Sequence, residues 1–346
     1  MAVVLASSWP NWEARARNVP LWPRARFTET DRAAAIYRGL SFIYRTALDA
    51  PNFGQYGSDY LWCFYEIAAT SRDPRLRAEA AAMGRERATQ WRREHRHIDA
   101  AASPDEIADT LFGAYAAERL GFPDPLFKDE IRRAAARFSA VDFLRFDPRV
   151  GPPFADPALL DLLCDALITT YTADQYGATL GAPFPEIAKW LPSIRPYRVG
   201  ADGMVPIVNV VTHVVYTRND YNYRSLSPAE LPDEFEFLKN HVNDREIQED
   251  GEMLGEFMDT LRAFGLTPQD EIIQRGFTEL LSKQNPDGSW GDLRDRDIYN
   301  RYHPTWTAID GLRDYVWSVS QPAPAESAFR LASLARAVSR ERCCPP

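Results

Sequence analysis

Apolar residues recur along this chain at helical spacing over almost its whole length. In 74–95, Leu76, Ala80, Met83 and Trp91 fall on one face while arginines fill the others, which predicts an outer, half-exposed helix. In 268–283, Ile273, Phe277, Leu280 and Leu281 repeat the i, i+4, i+7, i+8 stripe. The run 156–173, with Leu159, Leu160, Leu162, Leu163, Cys164, Ala166, Leu167 and Ile168, is apolar around most of its circumference and reads as an inner helix. No run alternates with period two over several strands.

Helix starts punctuate these stripes. A capping residue followed by proline occurs at Asp73-Pro74, Ser103-Pro104, Asp124-Pro125, Asp156-Pro157, Ser227-Pro228 and Thr267-Pro268. Proline suits the first helical position because its missing N–H would be orphaned there anyway. Glu106 after Ser103 and Asp270 after Thr267 add the acid of a capping box. Outer and inner candidates then alternate: 30–48 with 59–70, 74–95 with 104–120, 125–139 with 156–173, 182–192 with 204–217, 231–245 with 248–264, and 268–284 with 303–317. A last helix is expected at about 324–341. Six hairpins can close into an all-α (α/α)6 toroid whose inner helices wall a central pocket; the competing arrangement is an open solenoid. The expectation is one domain over 1–346, with 1–29 an irregular arm and 342–346 a frayed tail.

Composition narrows the class of partner. The net charge is −9, and all but Lys128, Lys189, Lys239 and Lys283 of the 40 basic residues are arginines, mixed with acids along helices. Without a basic stripe, nucleic acid and anionic membrane are not expected partners. No stretch reaches the roughly 18 unbroken apolar residues of a membrane span, and the opening residues lack a basic flank and a full apolar core for a leader. The expectation is a soluble, cytoplasmic protein. Cys63 and Cys164 lie in apolar runs and read as buried hydrophobes. Cys343 and Cys344 are adjacent near the end, and no Cys-x-x-Cys suggests structural zinc.

The last third carries two motifs. Gln284-Asn285-Pro286-Asp287-Gly288-Ser289-Trp290-Gly291 looks like the Gln…Gly-x-Trp motif of terpenoid cyclases such as the squalene–hopene cyclases. Tyr299-Asn300-Arg301-Tyr302-His303-Pro304-Thr305, with Gly311-Leu312 beyond it, is similar to the Tyr-His-Thr…Gly-Leu segment of protein farnesyltransferase β subunits. The resemblance implies the toroid and a metal at His303. It does not imply polyene cyclisation or prenyl transfer: Asp-x-Asp-Asp and Asp-Asp-x-x-Asp are absent, and Glu249-Asp250-Gly251-Glu252 stands where an Asp-x-Cys pair is expected.

Candidate chemistry gathers on the last three hairpins. His213, His241 and His303 belong to consecutive pairs, and imidazoles from neighbouring hairpins could meet over an open coordination position. Glu252 and Glu256 share a helix face at i, i+4. Three histidines suit copper or zinc, and two with a carboxylate suit iron. The expected metal set is therefore His213, His241, His303 and Glu256, with Glu252, Tyr216 and Tyr302 as catalytic or supporting groups. Each also has an ordinary reading: His213 as a satisfied core residue, His241 as a solvated or capping residue, and the aromatics as packing. His95 and His97, amid arginines, read as a solvated face.

The resulting expectation is an enzyme that uses iron, copper or zinc to transform a small, largely apolar, natural-product-like molecule. Oxidation and Lewis-acid-assisted cyclisation or transfer both remain open. Two alternatives stand beside it. One is a metal-free carbohydrate-active enzyme using paired carboxylates among Asp59, Asp105, Asp109, Glu249 and Asp250, which otherwise read as acids complementing helix dipoles. The other is a non-catalytic ring binding a lipid or a protein. Gly-x-Gly-x-x-Gly, Walker, Gly-x-Ser-x-Gly and His-Glu-x-x-His motifs are absent.

Overall fold

The structure is a computed structural model, describing residues 27–151, 158–199 and 203–317. The Asp156-Pro157 start, the helix expected at 324–341, Cys343, Cys344, the tail and nearly all of the arm lie outside the described residues. The described chain is all-α, with fourteen α-helices and no strand.

Four inner helices begin close to where the periodicity and caps place them, α4 (Pro104–Arg119), α7 (Ala158–Tyr176), α9 (Val205–Arg218) and α12 (Gly251–Ala263), whereas α2 (Ala50–Thr70) starts nine residues before the expected 59, capped by Asp49 and running through a kink at Tyr56. The outer ones are α1 (Glu29–Leu48), α3 (Pro74–Glu94), α5 (Pro125–Ala135), α10 (Pro232–His241) and α13 (Glu271–Lys283). Short helices α6 (Ala140–Leu144), α8 (Phe184–Ala188) and α11 (Arg245–Glu249) fill the connections. The last inner helix, α14 (Tyr299–Leu312), starts four residues before His303, so that His303 lies within it. Capping boxes at Thr28/Asp31 and Ser103/Glu106 close the orphan amides of α1 and α4, and prolines open α3, α4 and α5.

Other expected elements differ as well. Ser227-Pro228 and Thr267-Pro268 open capped turns, with Ser227 N donating to Glu230 (2.7 Å) and Thr267 N to Asp270 (2.7 Å), and the helices begin later, at Pro232 and Glu271. Pro232 disfavours helical backbone at Leu231, and Asp270 is extended as the cap of α13, so neither turn runs on. Pro183, Pro185 and Pro192 limit the outer helix expected at 182–192 to α8 and a 3₁₀ turn at Leu191–Ser193.

The inner helices touch in sequence, α2 to α4, α4 to α7, α7 to α9, α9 to α12 and α12 to α14, and α14 returns to α2. The contacts therefore form a closed cycle. Outer helices lie against it, α1 on α2 and α14, α3 on α2 and α4, α5 on α4, α10 on α9 and α12, and α13 on α12 and α14. The closest approach is between α12 and α14: a Cβ on Gly255 would stand 2.6 Å from the Thr307 carbonyl carbon, and one on Gly311 would stand 2.8 Å from Gly255 O. Only glycine allows backbones that near.

The seam between the first and last hairpins is heavily bonded. Gln284 Nε2 donates to Ala35 O on α1 (2.8 Å) and to Gly288 O (3.0 Å). Trp290 is fully buried, and its indole N–H donates to Leu280 O (2.9 Å). Arg32 and Arg262 both pair with Asp314, and an isolated antiparallel bridge joins Ser71 to Tyr315. The Gln…Gly-Ser-Trp segment thus acts as a clamp between α13, α14 and α1. Cys63 and Cys164 are buried free thiols, as expected. Among the described residues no helix is long and apolar enough to cross a membrane.

Candidate functional site

Acids and imidazoles stand on the inner helices at spacings that place them on single faces. Glu252, Glu256 and Asp259 lie at i, i+4, i+7 on α12, His303 and Asp310 at i, i+7 on α14, and Asp59 and Glu66 at i, i+7 on α2. Each stripe has an upper and a lower end.

At the upper end, His303 Nδ1 bonds to Glu252 Oε1 at 2.7 Å, and the two side chains keep 19% and 22% of their surface accessible. Tyr299 stacks on the His303 ring (centroids 4.9 Å apart) and Trp306 meets it edge-on (5.9 Å). Burial pushes the imidazole toward neutrality, but the charge and hydrogen bond of Glu252 outweigh it and raise His303 to about 9. His303 is accordingly an imidazolium at neutral pH, and its Nε2–H has no partner among the described residues. His213, on α9, gives the opposite case. Its Nδ1 lies 2.7 Å from Asn209 O, which can only accept, so the proton sits on Nδ1 and Nε2 is left as an acceptor. Burial, helped by the His303 charge, lowers its pKa to about 4.

Glu256 lies one turn below Glu252. Thr212 hydrogen-bonds its Oε2 (2.9 Å), and burial, with repulsion from Glu252, raises its pKa to about 8, so it keeps its proton at pH 7. Asp59 accepts from the Tyr302 hydroxyl (2.9 Å) and is raised by burial. Asp165, on α7, is raised to about 7 by burial and then by Asp161. Groups from α2, α7 and α12 (Asp59, Asp165, Glu252 and Glu256) all act on the Tyr299 phenol, which burial first and then these charges hold well above its usual range. Five of the six inner helices therefore contribute to one neighbourhood.

The lower end is a closed network. Glu66, Asp259 and Asp310 bring ligand-type oxygens within 4.8 Å of one another, and no other group of three or more His, Cys, Asp or Glu does so among the described residues. Arg313 donates to Asp310 (2.6 Å), Thr70 (2.8 Å), Ser71 (3.1 Å) and Glu66 (3.4 Å), while the Asn222 amide bridges Glu66 (2.8 Å) and Asp259 (2.9 Å). Burial raises all three carboxyls despite Arg313. One guanidinium does not balance three carboxylates in low dielectric, so the cluster retains protons.

The sequence-derived set is thus brought together in part. His213, His303, Glu252 and Glu256 share the upper neighbourhood, and Tyr216 meets the His213 ring edge-on (5.4 Å). Tyr302 serves Asp59 rather than His303. His241, at the C-terminal end of α10, pairs through Nδ1 with Asp244 (2.7 Å) and lays its ring on Phe237 (4.5 Å), and it forms no ligand cluster with His213, His303 or Glu256 among the described residues. The expected ligands His213, His241, His303 and Glu256 do not converge as the lower triad does. His95 stacks on Trp91 and the exposed His97 pairs with Glu130. Of the alternative acids, Asp105 pairs with Arg145 at the surface, the exposed Glu249 pairs with Arg245, and Asp250 caps α12. Asp109 meets Ser58, and Asp59 acts on His303. Asp165, Thr212 and the lower network went unforeseen. Carboxylates repeating at i, i+7 inside apolar helices were the available signal.

In comparison with known proteins, the chain matches no family model, no curated protein and no solved structure.

Proposed function

We propose that this chain is an enzyme that transforms a small, largely apolar organic molecule inside an (α/α)6 toroid, with His303, Glu256 and His213 moving the protons. The observation that carries the reading is the His303–Glu252 pair, held at 2.7 Å yet partly accessible, walled by Tyr299 and Trp306, with Glu256 and His213 beside it. The closed cycle of inner-helix contacts supports the ring.

The roles follow from the opposed proton affinities. His303 is charged and offers Nε2–H as an acid, Glu256 is a neutral acid, and His213 is a neutral base whose Nε2 has no partner among the described residues. Glu252 orients His303 and stabilises its charge. The aromatic walls hold apolar substrate surface and keep water away from the transfers.

One observation favours a metal-dependent form of the same reading. Both imidazoles tie Nδ1 to an oxygen and leave Nε2 without a partner among the described residues, which is how metal-bound histidines are commonly oriented. His213, His303 and Glu256 would then hold iron, copper or zinc, which supplies Lewis-acid or redox chemistry; their side chains would have to move together first.

Incubation with an apolar small-molecule extract, followed compound by compound by mass spectrometry, tests the reading. Compounds consumed by the chain and spared by His303→Ala and Glu256→Gln support it; consumption unaltered in both variants refutes it. Metal near one per chain, lost in His213→Ala and His303→Ala, selects the metal form.

A further inference from the structure

We propose that Tyr221 is the floor of the interior pocket and limits the length of the molecule it accepts, a compound with one polar end and an extended apolar tail. On the reading of the interior as a substrate site, this names the shape and polarity of the substrate.

The cycle of inner helices leaves space inside it. On α9, Asn209, His213 and Tyr216 share one face at i, i+4, i+7 and are partly buried, while every other position from 207 to 217 is buried. On α14, His303 and Trp306 are partly buried, while every other position from 302 to 312 is buried. The remaining sides of α9 pack on α7, α10 and α12, and those of α14 on α1, α2, α12 and α13. Each open stripe therefore faces the lumen, and the His303 charge acts across it on His213.

Tyr221 crosses that lumen. Its ring centroid lies 4.9 Å from Trp62 on α2, 5.9 Å from Tyr171 on α7 and 6.4 Å from Tyr216 on α9. In the cycle α2 reaches α9 through α4 and α7 one way and through α14 and α12 the other, so the two helices stand opposite each other. One ring in contact with both closes the space between them. Asn222 extends the closure, its buried amide donating to Glu66 on α2 (2.8 Å) and to Asp259 on α12 (2.9 Å).

The backbone is strained to hold this floor. Asp220, Tyr221 and Asn222 have φ of 57°, 47° and 69°. Asp and Asn tolerate left-handed backbone, whereas a bulky tyrosine is an outlier there. Such strain persists where the surroundings over-determine it, and it gathers at functional sites. Here the Tyr171 hydroxyl donates to Asp220 (2.6 Å), and the Asn219 amide donates to Asn222 (3.0 Å).

Polarity above the floor is one-sided. His303 and Glu252 pair at the upper end, and the rings of Tyr216, Tyr221 and Trp62 meet at the lower. The acids below are tied to Asn222 and Arg313. A molecule with its polar, reacting end at His303 thus lays an apolar tail toward Tyr221.

The test measures the affinity of the whole chain for unbranched 1-alkanols, from butanol to dodecanol, by titration calorimetry. Affinity is expected to rise about fourfold per methylene up to a break, where the tail meets Tyr221, and no further. Tyr221→Gly removes the ring and suits a positive φ. It should bind the alkanol two methylenes past the native break on the order of tenfold more tightly than the native chain does, and shorter alkanols equally. Tyr221→Asn, which also tolerates this backbone, should behave as the glycine variant, and Tyr221→Phe as the native chain. A steady rise without a break in the native chain, or a break unmoved in both Tyr221→Gly and Tyr221→Asn, overturns the inference while leaving the interior as a binding site. Failure to bind any alkanol also overturns it, and the mass-spectrometric assay then decides separately whether the acid–base reading survives.

Discussion

Replacing Glu252 by glutamine should move His303 across neutrality. In the native pair the imidazole is raised to about 9, against an ordinary 6.5, because the Glu252 charge and its 2.7 Å hydrogen bond overcome burial. Glutamine keeps the shape and an acceptor but removes the charge, while burial still disfavours the imidazolium. His303 should then titrate at 6.5 or below, a loss of at least about 3 kcal/mol in proton affinity. Glu256, which feels Glu252 as a like charge, should at the same time fall below about 8 yet stay above its ordinary 4.5, since burial remains. Imidazole ¹³C or ¹⁵N shifts followed from pH 5 to 10 in the chain and in Glu252→Gln measure the first change, and Glu carboxyl ¹³C shifts the second. A His303 midpoint unmoved by the substitution would mean that the pair does not set its charge, and the roles assigned to both groups would fall with it.

Three further outcomes follow from the same physics. His303 and Glu256 both hold protons more tightly in the folded chain; the first contribution is full below pH 6.5 and lost through about 9, the second is lost between 4.5 and about 8. Calorimetric Tm should therefore fall by on the order of 5 °C from pH 6.5 to 9, less steeply in His303→Gln, and a flat profile would contradict this. Gly255→Ala places a methyl 2.6 Å from the Thr307 backbone and should cost about 1–3 kcal/mol in denaturant unfolding, whereas Gly54→Ala, with nothing within 4 Å, should be neutral or stabilising; similar costs for both would refute the close approach of α12 and α14. Arg313→Met should destabilise by about 3–5 kcal/mol at pH 7 by leaving three buried carboxyls without their guanidinium, with stability recovering on acidification, and an unaffected Tm would show that the network is already neutral.

How far the sequence could be read depends on the range of the interaction. The starts at Pro74, Pro104 and Pro125 were legible because caps and proline act within one turn. The apolar stripes of α3 and α13 were legible because burial follows a fixed period. The starts at Ser227 and Thr267 misled: their capping signals are real, but Pro232 and the extended Asp270 end the turns a few residues later. His213, His303, Glu252 and Glu256 were found from spacing and a motif. His241 looked equivalent from its place in the chain, but its imidazole is engaged by Asp244, a contact local to its own helix end.

The amino-acid sequence by itself determined that this chain is helical, where most helices begin, and which faces are apolar, since propensity, capping and periodicity are local properties. Only the tertiary structure decided which acids and imidazoles share an interior and what charge each carries. A pKa follows from burial and from neighbours such as Glu252 and His303, which lie 51 residues apart along the chain and 2.7 Å apart in space.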